Sequence, residues 1–415
     1  MKIPFSPPFI DQSVIDQVLD TLQSNWITTG PKVKALEQEI VKLTDSKAAI
    51  CVNSWSSGAL LMLKWFGIKE GDEVIVPAYT YCATALSVMH CGATPVMVDI
   101  NDDFTIDPAE IMKAITPRTK AIIGVDIAGL PCEYQVIKSI ITDPVIQSLF
   151  TASSEKQQRL GRILLIADAA HSIGASYGDR ASILMSDIGI FSFHAVKNIT
   201  TAEGGCVCLN LPEAFDTASE YNFLKIFSLN GQNKDAFLKN NGAGWRYDIL
   251  YPGLKINMPD ICAAIGLAQI VKYKEDLLAL RKAIALKYDE SFRLFDWFIP
   301  PVLKDKDRES SYHLFPLRIK NIIELQRDRI IERLMAKGIV VNVHFIPLPM
   351  LTLFNDLGYN IKDYPNAYKQ YSSEISLPIY PQLTNEQSDF IIQSVIEAVV
   401  AEVGLDSMVE PVYTV

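Results

Sequence analysis

Apolar residues recur at helical spacing over residues 11 to 23 and 33 to 43, which predicts two helices. The link between them, Trp26-Ile-Thr-Thr-Gly-Pro31, carries a Gly-Pro break. Short apolar runs then alternate with longer periodic stretches. Strands are expected at Ala48 to Val52, after the turn in Gly71-Asp-Glu-Val-Ile-Val-Pro77, and at Val96 to Asp99, Ala121 to Val125, Leu164 to Ala167 and Ile188 to Phe193. Helical stretches fall between several of them, as at Ala59 to Phe66 and from Ala78-Tyr-Thr-Tyr-Cys-Ala83 onward. This alternation implies a mainly parallel sheet with right-handed crossovers. A long helical pattern runs from Met258 to about Phe295 with a break near Lys272. Beyond it the order is strand (His313 to Ile319), helix (Ile323 to Lys337), strand (Val340 to Val343) and helix (Asn385 to Val403). The expected fold is α/β: a large domain over 1–270, then a linker helix and a smaller α+β domain over 271–415.

Composition narrows the class. A chain of 415 residues, 49% hydrophobic and 21% charged, can bury a large core and is too long for one small domain. Its net charge of −10, with no Lys/Arg cluster, argues against a nucleic-acid partner. No apolar run reaches bilayer length, and Met-Lys-Ile-Pro-Phe-Ser-Pro-Pro-Phe lacks the apolar region of a signal peptide, so a cytoplasmic protein without a membrane partner is expected. Seven scattered cysteines fit reduced core thiols. Cys206 and Cys208 share one face of a strand, but no second ligand pair accompanies them, so no metal is expected.

The chemistry centres on Ile166 to Asn210. Asp168 ends one apolar run and Lys197 follows another, 29 positions later (197 − 168). Ligands of open α/β sheets bind at the carboxyl ends of the strands, so both side chains can face one pocket. A buried acid beside a buried amine suits pyridoxal phosphate: the amine condenses with the aldehyde, and the carboxylate keeps the ring nitrogen protonated. A surface lysine and a turn aspartate fit the same spacing. Asn53-Ser-Trp-Ser-Ser-Gly58 opens a helix after a strand, an arrangement that offers backbone N–H groups, hydroxyls and a positive helix end to a phosphate. An ordinary serine cap fits it too.

Three segments, Asp168-Ala-Ala-His171, Phe191-Ser-Phe-His-Ala-Val-Lys-Asn198 and Thr201-Ala-Glu-Gly-Gly205, together resemble the DegT/DnrJ/EryC1/StrS family of PLP-dependent sugar aminotransferases. The likeness runs from Trp26 to the final helix and is greatest to the branch that aminates 4-keto nucleotide sugars, the 4-amino-4-deoxy-L-arabinose type. It implies fold type I. Lys197 and Asp168 become catalytic. Ser54, Trp55, Ser56 and Ser192 are implied to hold the cofactor phosphate, Tyr81 to stack on the ring with Tyr79 as second choice, Ala170 to lie flat against it, and His171 to support a cofactor oxygen. Asn257, in Lys255-Ile-Asn-Met-Pro-Asp260, is implied to reach the partner subunit's cofactor in a homodimer with shared active sites. Substrate contacts are implied for Trp26, Thr28, Thr29, Gly30, His194, His344 and Phe345; the loop Trp26 to Gly30 fits a plain helix–helix connection equally well. The chain departs from the family at Asp126, where relatives have His, and at Pro349, where His is frequent. Glu133 to Gly161 is longer than the usual link, and its polar patch Thr151 to Gln158 reads as an extra surface loop without catalytic duty.

The reaction so implied is transfer of an amino group from L-glutamate to the keto carbon, at C4, of a nucleotide-linked sugar, for cell-surface polysaccharide or a related amino sugar. Pyridoxal 5′-phosphate cycles through pyridoxamine 5′-phosphate. Amination at C3, amination of a cyclitol and a non-catalytic PLP-binding regulator are the alternatives. Sugar dehydration uses His in place of the lysine, and Lys197 is present.

Overall fold

The computed structural model describes residues 2–234 and 245–404. Two helices, α1 (Gln12–Gln23) and α2 (Pro31–Thr44), come first. Then follow β1 (Ala48–Val52), α3 (Trp55–Phe66), β2 (Glu73–Pro77), α4 (Ala83–Met89), β3 (Thr94–Val98), α5 (Pro108–Ala114) and β4 (Thr119–Val125). Three helices, α6 (Tyr134–Thr142), α7 (Pro144–Leu149) and α8 (Glu155–Leu160), lead to β5 (Leu164–Asp168). Two short strands, β6 (Ser176–Tyr177) and β7 (Arg180–Ala181), precede β8 (Ile188–Ser192) and β9 (Gly205–Leu209).

Seven strands form one sheet in the order β1-β9-β8-β5-β4-β2-β3. All pairings are parallel except those of β9, which runs against both β1 and β8. Buried on both faces, the strands need apolar residues at successive positions, which is why they read as continuous apolar runs. Gly205, at the start of β9, is required by crowding: a Cβ there would lie 2.7 Å from Ser54 C and Trp55 N. The smallest residue thus lets β9 press against the turn into α3.

Within Glu133 to Gly161, the polar patch Thr151 to Gln158 expected as a surface loop is irregular only over 151–154; the rest of the segment is mostly helical. Asp143 caps α7 by accepting from Val145 N and Ile146 N, Pro144 occupies the first helical position, and Ser154 caps α8 by accepting from Gln157 N. Tyr134, Ile137 and Ile141 bury one face of α6, and Gln157 donates to Phe66 O. Local capping and a periodic apolar face outweigh the polar patch.

The long pattern after Met258 resolves into helix Asp260–Ile270, a π-helical turn Tyr273–Leu277 and helix Leu278–Phe292, with the break at Lys272. A three-stranded antiparallel sheet follows, with Phe315–Ile319 between Phe298–Ile299 and Glu374–Leu377, packed on helices Glu324–Ala336 and Asn385–Val403. The strand expected over Val340 to Val343 does not form. Only single bridges occur there, Ile3 to Ile339 and Asn342 to Ser376, and the chain then turns so that Val343, His344 and Phe345 line a cavity. Glu374–Leu377 is the edge strand, with Asn342 bridged to its outer side. Ile3 is buried in this second core. No described helix is long and apolar enough to cross a membrane.

Candidate active site

A cavity of about 590 Å³ opens at the carboxyl ends of β4, β5 and β8 and at the start of α3. Asp168, the last residue of β5, is buried there. Its Oδ2 accepts from Thr84 Oγ1 at 2.9 Å and its Oδ1 from Ala170 N at 3.2 Å. Burial pushes its carboxyl up to about 7, against the two hydrogen bonds and the charge of Lys197. Lys197 follows the turn after β8, where its N–H donates to His194 O, and its side chain lines the same cavity. Desolvation lowers its amine to about 8, with Asp168 acting the other way. An amine with this value is partly deprotonated near neutrality and can act as nucleophile or base.

Ser54, Trp55 and Ser56 also line the cavity. Ser54 Oγ accepts from Ser57 N at 3.1 Å, so the serine cap is real, and it fixes the positive end of α3 toward the cavity. Ser192, Ala170, His194, His344 and Phe345 line the same space. Tyr81 stands exposed at its rim, 5.9 Å from the Phe345 ring, whereas Tyr79 is fully buried and donates to His344 O. His171 packs 4.4 Å from the His313 ring, and burial and Lys197 hold it neutral. Two polar atoms of cavity residues, His171 Nδ1 and Trp55 Nε1, are buried without a partner among the described residues. Unpaired buried donors and acceptors are rare, and these two fit a polar ligand.

Asn257 and the loop Trp26 to Gly30 are not in this lining. They form a separate group in which Asn257 Nδ2 donates to Thr29 Oγ1, Gly30 N donates to Asp260 Oδ1, Trp26 Nε1 donates to Thr29 O, and Thr28 O accepts from Asp260 N. Asp126 does not face the cavity either. It is fully buried and accepts from Tyr134 OH, Ser172 Oγ and Cys132 N, and burial raises it to about 6.

Comparison with known proteins matches residues 8–396 to a single family. The chain belongs to the DegT/DnrJ/EryC1/StrS aminotransferase family. Its relatives include the spore coat polysaccharide biosynthesis protein SpsC of Bacillus subtilis, 34% identical over 95% of this chain and 96% of SpsC. The solved structure of the Streptococcus pneumoniae protein Spr1654, a sugar aminotransferase by its description, in its PMP form, is similar with a TM-score of 0.91. It is 41% identical, covering 96% of this chain and 99% of that one, and a PLP form of it matches equally well in fold. PseC of Helicobacter pylori, an aminotransferase of pseudoaminic acid biosynthesis, is 28% identical with a TM-score of 0.83, covering 97% of this chain and all of that one. This DegT-family member is a PLP-dependent aminotransferase of fold type I.

Sequence reasoning missed several contributors to this family site. Thr84 stands one residue past the start of α4 and three past Tyr81, a helical spacing that could have flagged it. Asn198 donates to Tyr273 OH and Ser311 O and contacts His313 Nδ1 at 2.8 Å, tying the residue after Lys197 to the C-terminal part. Phe5 stacks on His344 at 5.4 Å, and Ser6 Oγ donates to Val196 O. Nothing local in the sequence marks the N-terminal stretch as part of the site.

Proposed function

We propose that this enzyme moves the amino group of L-glutamate to the C4 keto carbon of a nucleotide-linked sugar, in the making of a surface polysaccharide or related amino sugar. The observation that carries the reading is the convergence of Lys197 and Asp168 on one cavity whose outer wall, formed by His194, His344 and Phe345, extends beyond the residues assigned to the cofactor. The bound cofactor supplies an aldehyde and a ring that accepts electrons. Asp168 holds a proton at the ring nitrogen. Ser54, Trp55, Ser56 and Ser192 hold the phosphate at the helix end. Lys197 Nζ would take the proton from the amino donor's α carbon and pass it to the cofactor's 4′ carbon, and in the second half would carry a proton from that carbon to the sugar carbon. Tyr81 would stack on the ring and Ala170, small, would let it lie flat.

SpsC and PseC, relatives whose descriptions name polysaccharide and pseudoaminic acid biosynthesis, favour a sugar acceptor. The sequence around Lys197 favours C4 over C3. Asn257 and Trp26 to Gly30, grouped away from their own chain's cavity, support a homodimer in which Asn257 completes the partner's phosphate site and the loop borders its sugar.

The test is the absorption spectrum of the PLP-loaded protein before and after L-glutamate, then after a panel of 4-keto and 3-keto nucleotide sugars and cyclitol ketones. Glutamate is expected to bleach the visible band and one 4-keto sugar to restore it. Restoration only by another ketone overturns the C4 assignment, and Lys197→Ala retaining turnover overturns the mechanism.

A further inference from the structure

His344 faces the cavity, and behind it lies a buried acid that the amine transfer does not use. Glu374, at the start of the edge strand Glu374–Leu377, is fully buried. One of its oxygens, Oε2, accepts from His344 N at 3.1 Å, and Oε1 bonds to Ser376 Oγ. Ser376 Oγ in turn lies 2.9 Å from His344 Nδ1. The result is an unbroken chain from a carboxyl through a hydroxyl to an imidazole, entirely inside the protein until the ring. Phe5 stacks on that ring at 5.4 Å, and Tyr79 OH donates to His344 O, so the ring has little freedom to leave the chain.

We propose that Glu374 and Ser376 are positioning residues that decide which ring nitrogen of His344 carries the proton, and so whether His344 Nε2 donates or accepts a hydrogen bond in the substrate cavity. In the role of this nitrogen toward sugar oxygens, the proposal rests on the sugar aminotransferase reading above.

The hydroxyl of Ser376 has one proton, which makes the chain directional. With Glu374 protonated, its O–H donates to Ser376 Oγ, Ser376 donates to His344 Nδ1, and Nε2 keeps its hydrogen. With Glu374 ionised, Ser376 donates to the carboxylate, Nδ1–H donates to Ser376, and Nε2 is bare. Conversion between the two moves one proton from Glu374 to Ser376, one from Ser376 to Nδ1, and releases one from Nε2 to water. His344 stays neutral in both states, because burial and the charge of Lys197 hold it at about 3.

Several groups face this chain. Arg318 pairs with Glu374 across the sheet, Arg327 donates to Glu374 O at 3.2 Å, and Tyr79 adjoins from the large-domain side; His171, His313 and Lys197 adjoin the ring from the cavity side. Burial pushes the Glu374 carboxyl up to about 8, opposed by its hydrogen bonds and by the two arginines. Asn342 favours the bare form: its Oδ1 accepts from Val343 N, which turns its amide nitrogen toward Nε2 at 3.4 Å. Ionisation of Glu374 therefore moves Nε2 from a donor for a ketone or ring oxygen to an acceptor, at which a sugar hydroxyl takes the place of the Asn342 amide.

The test is nitrogen NMR of PLP-loaded protein labelled with 15N-histidine, titrated from below to above about pH 8 without substrate. Only five histidines need resolving, and His344→Gln assigns the signal. The expected result is a neutral His344 whose hydrogen moves from Nε2 to Nδ1 across that range, with the movement lost in Ser376→Ala and Glu374→Gln and recovered in Ser376→Thr. A tautomer that stays constant in the wild type, or a switch that survives either Ser376→Ala or Glu374→Gln, overturns the proposal. Because the readout involves no turnover, its failure leaves the amine-transfer reading standing, and failure of that reading leaves the tautomer result intact.

Discussion

Thr84 and Asp168 stand 84 positions apart, yet Thr84 Oγ1 donates to Asp168 Oδ2 at 2.9 Å inside the buried floor of the cavity. One residue opens a helix and the other ends a strand, so the packing of α4 against the sheet sets the orientation of the carboxylate. Burial alone favours the protonated acid, and this hydrogen bond is among the interactions that keep it available as a partner for a protonated ring nitrogen. Replacing Thr84 by Val keeps the shape and removes the donor. The expected loss is about 1 kcal/mol, about fivefold in kcat/KM, with weaker PLP binding measured by spectral titration. Unchanged kinetics would show that Asp168 is oriented by the cavity walls instead.

The lowered value of Lys197 gives a pH signature. Protein stripped of cofactor is expected to capture added pyridoxal phosphate faster as pH rises, with the rate levelling off near about 8 and not near the ordinary lysine value of 10.5. The native amine sheds its proton before the unfolded one does, so between these values the unfolded chain binds more protons and this group makes stability rise with pH. Stopped-flow absorbance follows the first effect, and denaturant melts of wild type against Lys197→Met follow the second. A capture rate still climbing at pH 10 would refute the shift.

Gly205→Ala places a Cβ at 2.7 Å from the backbone of Ser54 and Trp55. Overpacking of this kind costs about 1–3 kcal/mol. Because the displaced atoms belong to the turn that starts α3, affinity for the cofactor phosphate should fall along with the melting temperature. A variant as stable as wild type, with unaltered PLP affinity, would mean that β9 and the turn separate freely.

A shared active site predicts complementation. Lys197→Ala and Asn257→Ala proteins are each expected to be nearly inactive. Mixed dimers contain one site with both residues intact, so activity should return after the two are dissociated and recombined. Size-exclusion chromatography confirms dimers, and a turnover assay reads the recovery. No recovery in confirmed mixed dimers would place Asn257 outside the partner's site.

What the sequence by itself determined is the local part of this protein. The strands buried on both faces announce themselves as apolar runs, because every position on them meets other side chains. Asp168 and Lys197 fall where such runs end, and an α/β sheet presents strand ends to ligands; a surface lysine and a turn aspartate fit that spacing too, and it is the resemblance of the surrounding segments to the DegT family that pointed to the cofactor. The α6–α8 helices were legible as well, in Asp143-Pro144, in the Ser154 cap and in the spacing of Tyr134, Ile137 and Ile141; the polar patch drew the reading toward a loop. The tertiary structure alone decided the rest. Val340 to Val343 lies outside Glu374–Leu377 and meets it only through the bridge between Asn342 and Ser376, and propensity does not tell that a strand ladder stops there. Thr84, Asn198, Phe5 and the chain from Glu374 through Ser376 to His344 join the site through contacts between segments far apart in sequence. Their roles depend on a few hydrogen bonds or ring contacts, and no periodicity along the chain encodes such a meeting.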